Sequence, residues 1–138
     1  MHRVLLADDE AHVTHVVERR LIGAGYDVRV ARDGEEAWLI AQEWHPQVVV
    51  TDLQMPYMNG LELARLVRTL PETKDIPIVM LTARGYGVTD EERAEAGLSE
   101  LLAKPFSVRK LVDLIASMLV GDVGKTADKN NAPPERAA

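Results

Sequence analysis

Over residues 3–120, short apolar runs that read as buried strands alternate five times with longer segments whose apolar residues recur at helical spacing. Arg3–Ala7, Tyr26–Ala31, Gln47–Asp52, Ile76–Thr82 and Leu101–Ala103 are the strands. Glu10–Ala24, Gly34–Trp44, Leu61–Leu70, Val88–Ala96 and Ser107–Val120 are the helices. Val48-Val49-Val50-Thr51 is continuous and β-branched rather than alternating, which suits a strand covered on both faces. Such an alternation predicts an α/β domain: a parallel sheet with helices on either side.

The helices carry their own signals. Val13, Val16, Val17, Leu21 and Ala24 form the apolar stripe of the first, which Gly25 stops. Ala37, Trp38, Ala41 and Trp44 share one face of the second, which Pro46 ends; both tryptophans read as packing residues. Leu63, Leu66, Val67 and Leu70 face inward from the third. Thr89 and Glu92 have the spacing of a capping box before the fourth, whose apolar stripe is thin. Ser107 caps the fifth, with Val108, Leu111, Val112, Ile115 and Leu119 in register. From Gly121 to Ala138 the chain turns polar, with Asn130-Asn131 and Pro133-Pro134. Residues 1–120 are therefore expected as the domain, and 121–138 as a flexible tail or linker remnant.

Composition removes several functional classes. A net charge of −6 lacks the basic footprint of a nucleic-acid binder. With no cysteine there is neither a disulfide framework nor thiolate or zinc-thiolate chemistry. Met1-His2-Arg3-Val4 runs straight into the first strand without a signal peptide, and no apolar run nears the roughly 20 residues of a membrane helix. A cytoplasmic location, with no membrane association, is expected.

What remains is chemistry at strand ends. Asp8-Asp9-Glu10 follows the first strand, Asp52 ends the third, Thr82 ends the fourth, and Lys104-Pro105 follows the fifth. In a parallel sheet, ligands sit beyond the carboxyl ends of the strands, so these residues converge on one edge. Two carboxylates about 4 Å apart repel by ~4 kcal/mol at an effective dielectric near 20. Asp8, Asp9 and Asp52 together thus call for protonation, a cation or a catalytic purpose, and oxygen-only donors favour Mg²⁺, which leaves room for phosphate oxygens. One of Asp8 and Asp9 can also cap the first helix. Lys104 supplies a counter-charge, and Thr82 a hydroxyl. His12 and His15, three apart on the first helix, lack further ligands and read as exposed positions. Gly85 and Gly87 are too few for a phosphate cradle, and Tyr86 lies beside them.

The set Asp8-Asp9, Asp52 with Met55-Pro56 and Asn59-Gly60, Thr82-Ala83, and Lys104-Pro105-Phe106 resembles the receiver domain of bacterial two-component response regulators, over roughly Arg3–Val120. The resemblance implies a doubly wound, flavodoxin-like (βα)5 fold with strand order 2-1-3-4-5. It implies that Asp52 accepts a phosphoryl group from a sensor histidine kinase or histidine phosphotransfer protein. Asp9, Asp52 and the Gln54 carbonyl would ligate Mg²⁺ (or Mn²⁺), with Asp8 acting largely through water. Lys104 and Thr82 would contact the phosphoryl oxygens, and the Lys104–Pro105 bond would be cis.

Two departures from the family pattern bear on switching. Leu101 stands three before the lysine, where an aromatic is frequent; it can still pack or swing, but it has neither the ring nor the hydroxyl of the usual aromatic readout. Gln54 and Arg84, two after the aspartate and the threonine, are expected to tune phosphate lifetime. The domain is expected to be no general enzyme, promoting only its own phosphotransfer and dephosphorylation. Output is expected through an unidentified protein at the face of the fourth helix, fifth strand and fifth helix, the chain being a monomer or a phosphorylation-dependent dimer. A degenerate receiver that binds partners constitutively, and a receiver cut from a longer regulator, are the alternatives. A flavodoxin-type site would repel a bare phosphate at Asp8-Asp9-Glu10, and a haloacid-dehalogenase-like phosphatase wants an acid where Gln54 stands.

Overall fold

A computed structural model describes residues 1–83 and 87–127, with residues 120–127 as backbone alone. Arg84, Gly85, Tyr86 and residues 128–138 of the expected tail lie outside the described residues. The elements run β1 (Arg3–Ala7), α1 (Ala11–Gly23), β2 (Asp27–Ala31), α2 (Gly34–Trp44), β3 (Val48–Asp52), α3 (Gly60–Val67), β4 (Ile78–Ala83), α4 (Asp90–Ala96), β5 (Glu100–Lys104) and α5 (Val108–Ala127).

All four strand pairings are parallel, and the order is β2-β1-β3-β4-β5. The chain starts in the middle of the sheet, steps to one side for β2, then returns past β1. That reversal leaves a crevice at the carboxyl ends of β1 and β3. The register sets what meets there. Ala7 pairs with Thr51, Asp52 with Leu81, Thr82 with Ala103, and Ala83 with Lys104.

Each strand contributes to two cores, as a sheet buried on both faces requires. Leu5, Val49, Ile78 and Met80 pack with Ala37, Ala41, Trp44, Leu63, Ala64 and Val67 beneath α2, α3 and α4. Val4, Leu6, Val50, Val79 and Leu81 pack with Val17, Leu21, Leu111, Ile115 and Leu119 beneath α1 and α5. A side chain buried this fully stabilises the fold by about 1.5–3 kcal/mol relative to exposure.

Several element details differ from the sequence expectation. In α1 the stripe is Thr14, Val17 and Leu21, while Val16 is exposed and Ala24 caps the helix at the surface. Val16 is one position, about 100°, off the Val17–Leu21 row. Thr14 is tolerated inside because its hydroxyl donates to the Ala11 carbonyl at 3.0 Å. The third helix ends at Val67, so Leu70 falls in the following turn, and Leu61 and Ala64 join Leu63 and Val67 in the core. Arg68 explains the early stop: its guanidinium donates to the carbonyls of Lys74, Ile76, Ala96 and Gly97, drawing the chain into a turn. β4 begins at Ile78 because Pro77 has no N–H to donate, although its carbonyl accepts from Val49 at 3.0 Å. α5 continues to Ala127, through the stretch where the tail was expected to begin. The α4 and α5 capping expectations are met: Thr89 and Glu92 form a reciprocal box, and the Ser107 hydroxyl accepts from Lys110 N–H at 3.1 Å.

Trp44 is almost fully buried, with the Arg29 and Arg3 guanidinium carbons 4.8 and 5.7 Å from its ring centroid. Trp38, partly buried, packs against the same core. Both are packing residues, and His12 and His15 lie exposed on α1.

Candidate functional site

The β1 carboxyl end places Asp8 with its backbone N–H donating to the Ala31 carbonyl of β2 at 3.1 Å. Its side chain is wholly buried, and Oδ1 accepts from the Glu10 N–H at 3.0 Å. Asp9, next in the chain, is exposed. Neither aspartate caps α1; Glu10 occupies the cap position and makes no side-chain capping bond. Asp52 ends β3 and is 7% exposed. Asp8, Asp9 and Asp52 each offer a carboxylate oxygen within 4.8 Å of the others.

Gly60 shapes the wall behind Asp52. A Cβ at this position would collide with the Asp52 carbonyl oxygen, so only glycine lets α3 begin this close to the end of β3. The Gly60 N–H donates to the Leu53 carbonyl at 2.8 Å, folding the loop back, and the Asn59–Glu62 capping box starts α3 immediately after. Gln54 lies in this loop, exposed.

From the other side, β5 delivers Lys104. Its Nζ stands 2.9 Å from Glu10 Oε1, 3.1 Å from Asp8 Oδ2 and 3.4 Å from Asp52 Oδ1. The Lys104–Pro105 bond is cis. Thr82, 9% exposed, sits on β4 between Asp52 and Lys104 in the strand order, one residue beyond the Leu81 that pairs with Asp52. Leu101 is half-buried on β5 and packs on the core beneath α2, α3 and α4.

Burial raises Asp52 to about 6, with the Asp8 charge adding to the rise and Lys104 opposing it. Burial alone would lower Lys104. Its hydrogen bonds to Glu10 and Asp8, with the charges of Asp8 and Asp52, outweigh that and hold it above the ordinary lysine value. Its hydrogen bond to Lys104 lowers Glu10. The site is thus a carboxylate cluster with one permanent ammonium in it. Oxygen-only donors, two of them buried and in excess of the one cation present, fit a hard divalent ion that keeps several waters.

Glu10 is the member that sequence reasoning did not assign. Its place beside Asp8-Asp9 was visible, but its reach to a lysine 94 residues away depends on side-chain geometry across the sheet edge.

Residues 4–116 match the model of the response regulator receiver domain. The chain belongs to the receiver domain family. Receivers are signalling domains that accept a phosphoryl group rather than enzymes in the ordinary sense. This receiver is 40% identical over 131 residues to the "Probable transcriptional regulator ycf27" of Porphyridium aerugineum, across 95% of this chain and 53% of that protein. Among solved structures it is similar to the chemotaxis response regulator CheY4 of Vibrio cholerae, at 34% identity and a TM-score of 0.79, covering 86% of this chain and 98% of that one. It is also similar to the receiver domain of the sensor histidine kinase PA1611 of Pseudomonas aeruginosa, at 27% identity and a TM-score of 0.78, covering 86% and 98%. That structure holds a magnesium ion coordinated in its active-site cleft. The receiver spans about half the length of the curated relatives it matches.

Proposed function

We propose that this receiver takes a phosphoryl group onto Asp52 from a phosphohistidine on a sensor kinase or phosphotransfer protein, and that the modified domain changes its protein contacts. The observation that carries this reading is the placement of Asp8, Asp9 and Asp52 within 4.8 Å of one another, with Lys104 3.4 Å from Asp52. In the transfer, an Asp52 carboxylate oxygen attacks phosphorus and the O–P bond forms. The N–P bond of the donor breaks, and its electron pair stays on the imidazole nitrogen. Such transfers depend on in-line positioning and charge neutralisation far more than on proton movement. Burial of Asp52 keeps water from competing for its oxygens. The Lys104 ammonium faces the charge that develops on the phosphoryl oxygens, and the Thr82 hydroxyl donates to the same group.

The carboxylates of Asp8, Asp9 and Asp52, with the Gln54 carbonyl, would hold Mg²⁺, Asp8 largely through water. When bound, the ion neutralises phosphoryl charge. Mn²⁺ satisfies the same donor set. Gln54 and, by its place in the sequence, Arg84 set how long the phosphoryl group survives in this reading, while Leu101 transmits the switch by packing rather than through an aromatic ring. The output partner docks at the α4–β5–α5 face, the receiver itself being a monomer or a phosphorylation-dependent dimer. Among the described residues no helix is long and apolar enough to cross a membrane. A cytoplasmic location is part of the same proposal and rests on the family. Because the receiver covers about half of its curated relatives, a second reading is that it is the receiver part of a longer regulator.

The test is intact mass after incubation with Mg²⁺ and acetyl phosphate, beside Asp52→Ala. One phosphoryl mass gain, absent from the variant and without Mg²⁺, supports the reading. Failure with both acetyl phosphate and a phosphohistidine donor would leave a degenerate receiver that binds its partners constitutively.

A further inference from the structure

An ammonium has three protons to donate; Lys104 gives hydrogen bonds to Glu10 and Asp8 and stands in an ion pair 3.4 Å from Asp52. A phosphoryl group on Asp52 adds oxygens to this crowded shell, so one of the resting partners has to let go. Asp8 is fixed, with its side chain fully buried and Oδ1 already bonded to the Glu10 N–H. Asp52 is equally enclosed and carries the new group. Glu10 differs from both. It makes the shortest contact to Lys104, yet its side chain is 49% exposed and caps no helix. Water can take over its carboxylate at little cost.

We infer that Glu10 is a positioning residue that holds Lys104 in the resting receiver and releases it to the phosphoryl group on Asp52. This inference rests on the phosphoacceptor reading and adds a member to that site. Glu10 competes with the phosphoryl group for one ammonium, and so limits how far phosphorylation proceeds at a given donor concentration. An exposed pair of this kind shifts such an equilibrium about twofold to fivefold.

Two side effects have to be separated from competition for Lys104. Glu10 also repels an anionic donor simply by its charge, and a variant can perturb α1. Glu10→Asp keeps the charge but is one methylene shorter and loses its reach to Lys104. Glu10→Gln removes the charge. If Glu10 acts through Lys104, both variants raise the phosphorylated fraction about twofold to fivefold at sub-saturating acetyl phosphate, and Glu10→Gln adds nothing when Lys104 is already alanine. If only charge matters, Glu10→Asp behaves as the native protein and Glu10→Gln keeps its effect without Lys104; either result overturns the inference.

A second readout does not need phosphate transfer. The ¹⁵N–¹H signal of the Lys104 ammonium is compared in the native protein and Glu10→Gln, at rest and with Mg²⁺ and beryllofluoride as a phosphoryl mimic. The signals should differ at rest and converge with the mimic. Coincident signals at rest, or a difference that persists with the mimic, refute the release. A native protein that gains no phosphoryl mass and ignores the mimic refutes the phosphoacceptor reading itself, and release of Lys104 falls with it. A native protein that is phosphorylated normally, with both Glu10 variants matching it, refutes the Glu10 role alone.

Discussion

Replacing Asp52 with asparagine should make the metal-free receiver more stable while abolishing phosphorylation. Asp52 is almost enclosed, and its carboxyl is raised from 3.8 to about 6 by burial and by Asp8, even with Lys104 attracting the charged form. Because its folded value lies above the unfolded one, the folded state binds the proton more tightly. The stabilising contribution is therefore fully present below about pH 4 and is lost as pH rises through about 6. At pH 7 the ionised carboxylate burdens the fold by roughly 3 kcal/mol, from 1.36 kcal/mol for each pKa unit. Asparagine has nearly the same shape and no charge to bury, so a gain of about 1–3 kcal/mol is expected, smaller to the extent that its amide meets Lys104 less favourably than the carboxylate does. Urea unfolding in EDTA at pH 7 measures it, with Trp44 fluorescence as the signal, since that ring is buried. At an m value of ~2 kcal/mol/M the midpoint should rise by about 0.5–1.5 M. The advantage should shrink at pH 4. It should shrink again with Mg²⁺, which stabilises the native protein by ~2.7 kcal/mol at a hundred times its dissociation constant and the variant by less. An asparagine variant that is no more stable than the native protein in EDTA at pH 7 would refute the electrostatic account of this site.

Gly60→Ala should destabilise the fold by about 1–3 kcal/mol, because a methyl group meets the Asp52 carbonyl; urea midpoints measure this, and Mg²⁺ titration should show weakened binding. Thr89→Ala removes one half of the α4 capping box and should cost ~1 kcal/mol, with faster amide exchange in Asp90–Glu92 than in the native protein. Arg68→Ala strips a donor from four carbonyls in two segments and should cost about 2–4 kcal/mol in urea unfolding, whereas Arg68→Lys should recover only part of it.

The strands and the location of the site were legible because both follow from patterns that depend little on tertiary detail. Val48-Val49-Val50-Thr51 is β-branched without interruption, which suits a strand covered on both faces. Once five of these runs alternate with helices, parallel pairing brings Asp8, Asp52, Thr82 and Lys104 to one edge whatever the loops do. The Thr89 and Ser107 caps were legible because each acts over only four residues. What was not legible depended on reach. Leu70 has the periodicity of the third helix, but the Arg68 guanidinium bonds to carbonyls up to 29 positions away and turns the chain first. Val16 fits the apolar stripe of α1 on spacing, yet the sheet meets the row holding Thr14, Val17 and Leu21. Glu10 reads as one more acid in a run, and only its distance to Lys104 separates it from Asp9, which the structure leaves exposed.

The contact between Lys104 and Asp8 joins positions 96 apart, and β5 joins the sheet only through β4. A polypeptide emerging from the ribosome therefore has its acids long before it has their counter-ion. Through the synthesis of β1 to β4, Asp8 and Asp52 have no ammonium to face and stay wet or protonated. Arrival of the last strand completes the sheet and brings the cluster its first counter-charge in one event. A nascent chain halted before Lys104 would keep four of its five strands and lack the group that makes its acidic edge tolerable. Addition of β5 and arrival of the counter-ion at the site are thus the same event in this molecule.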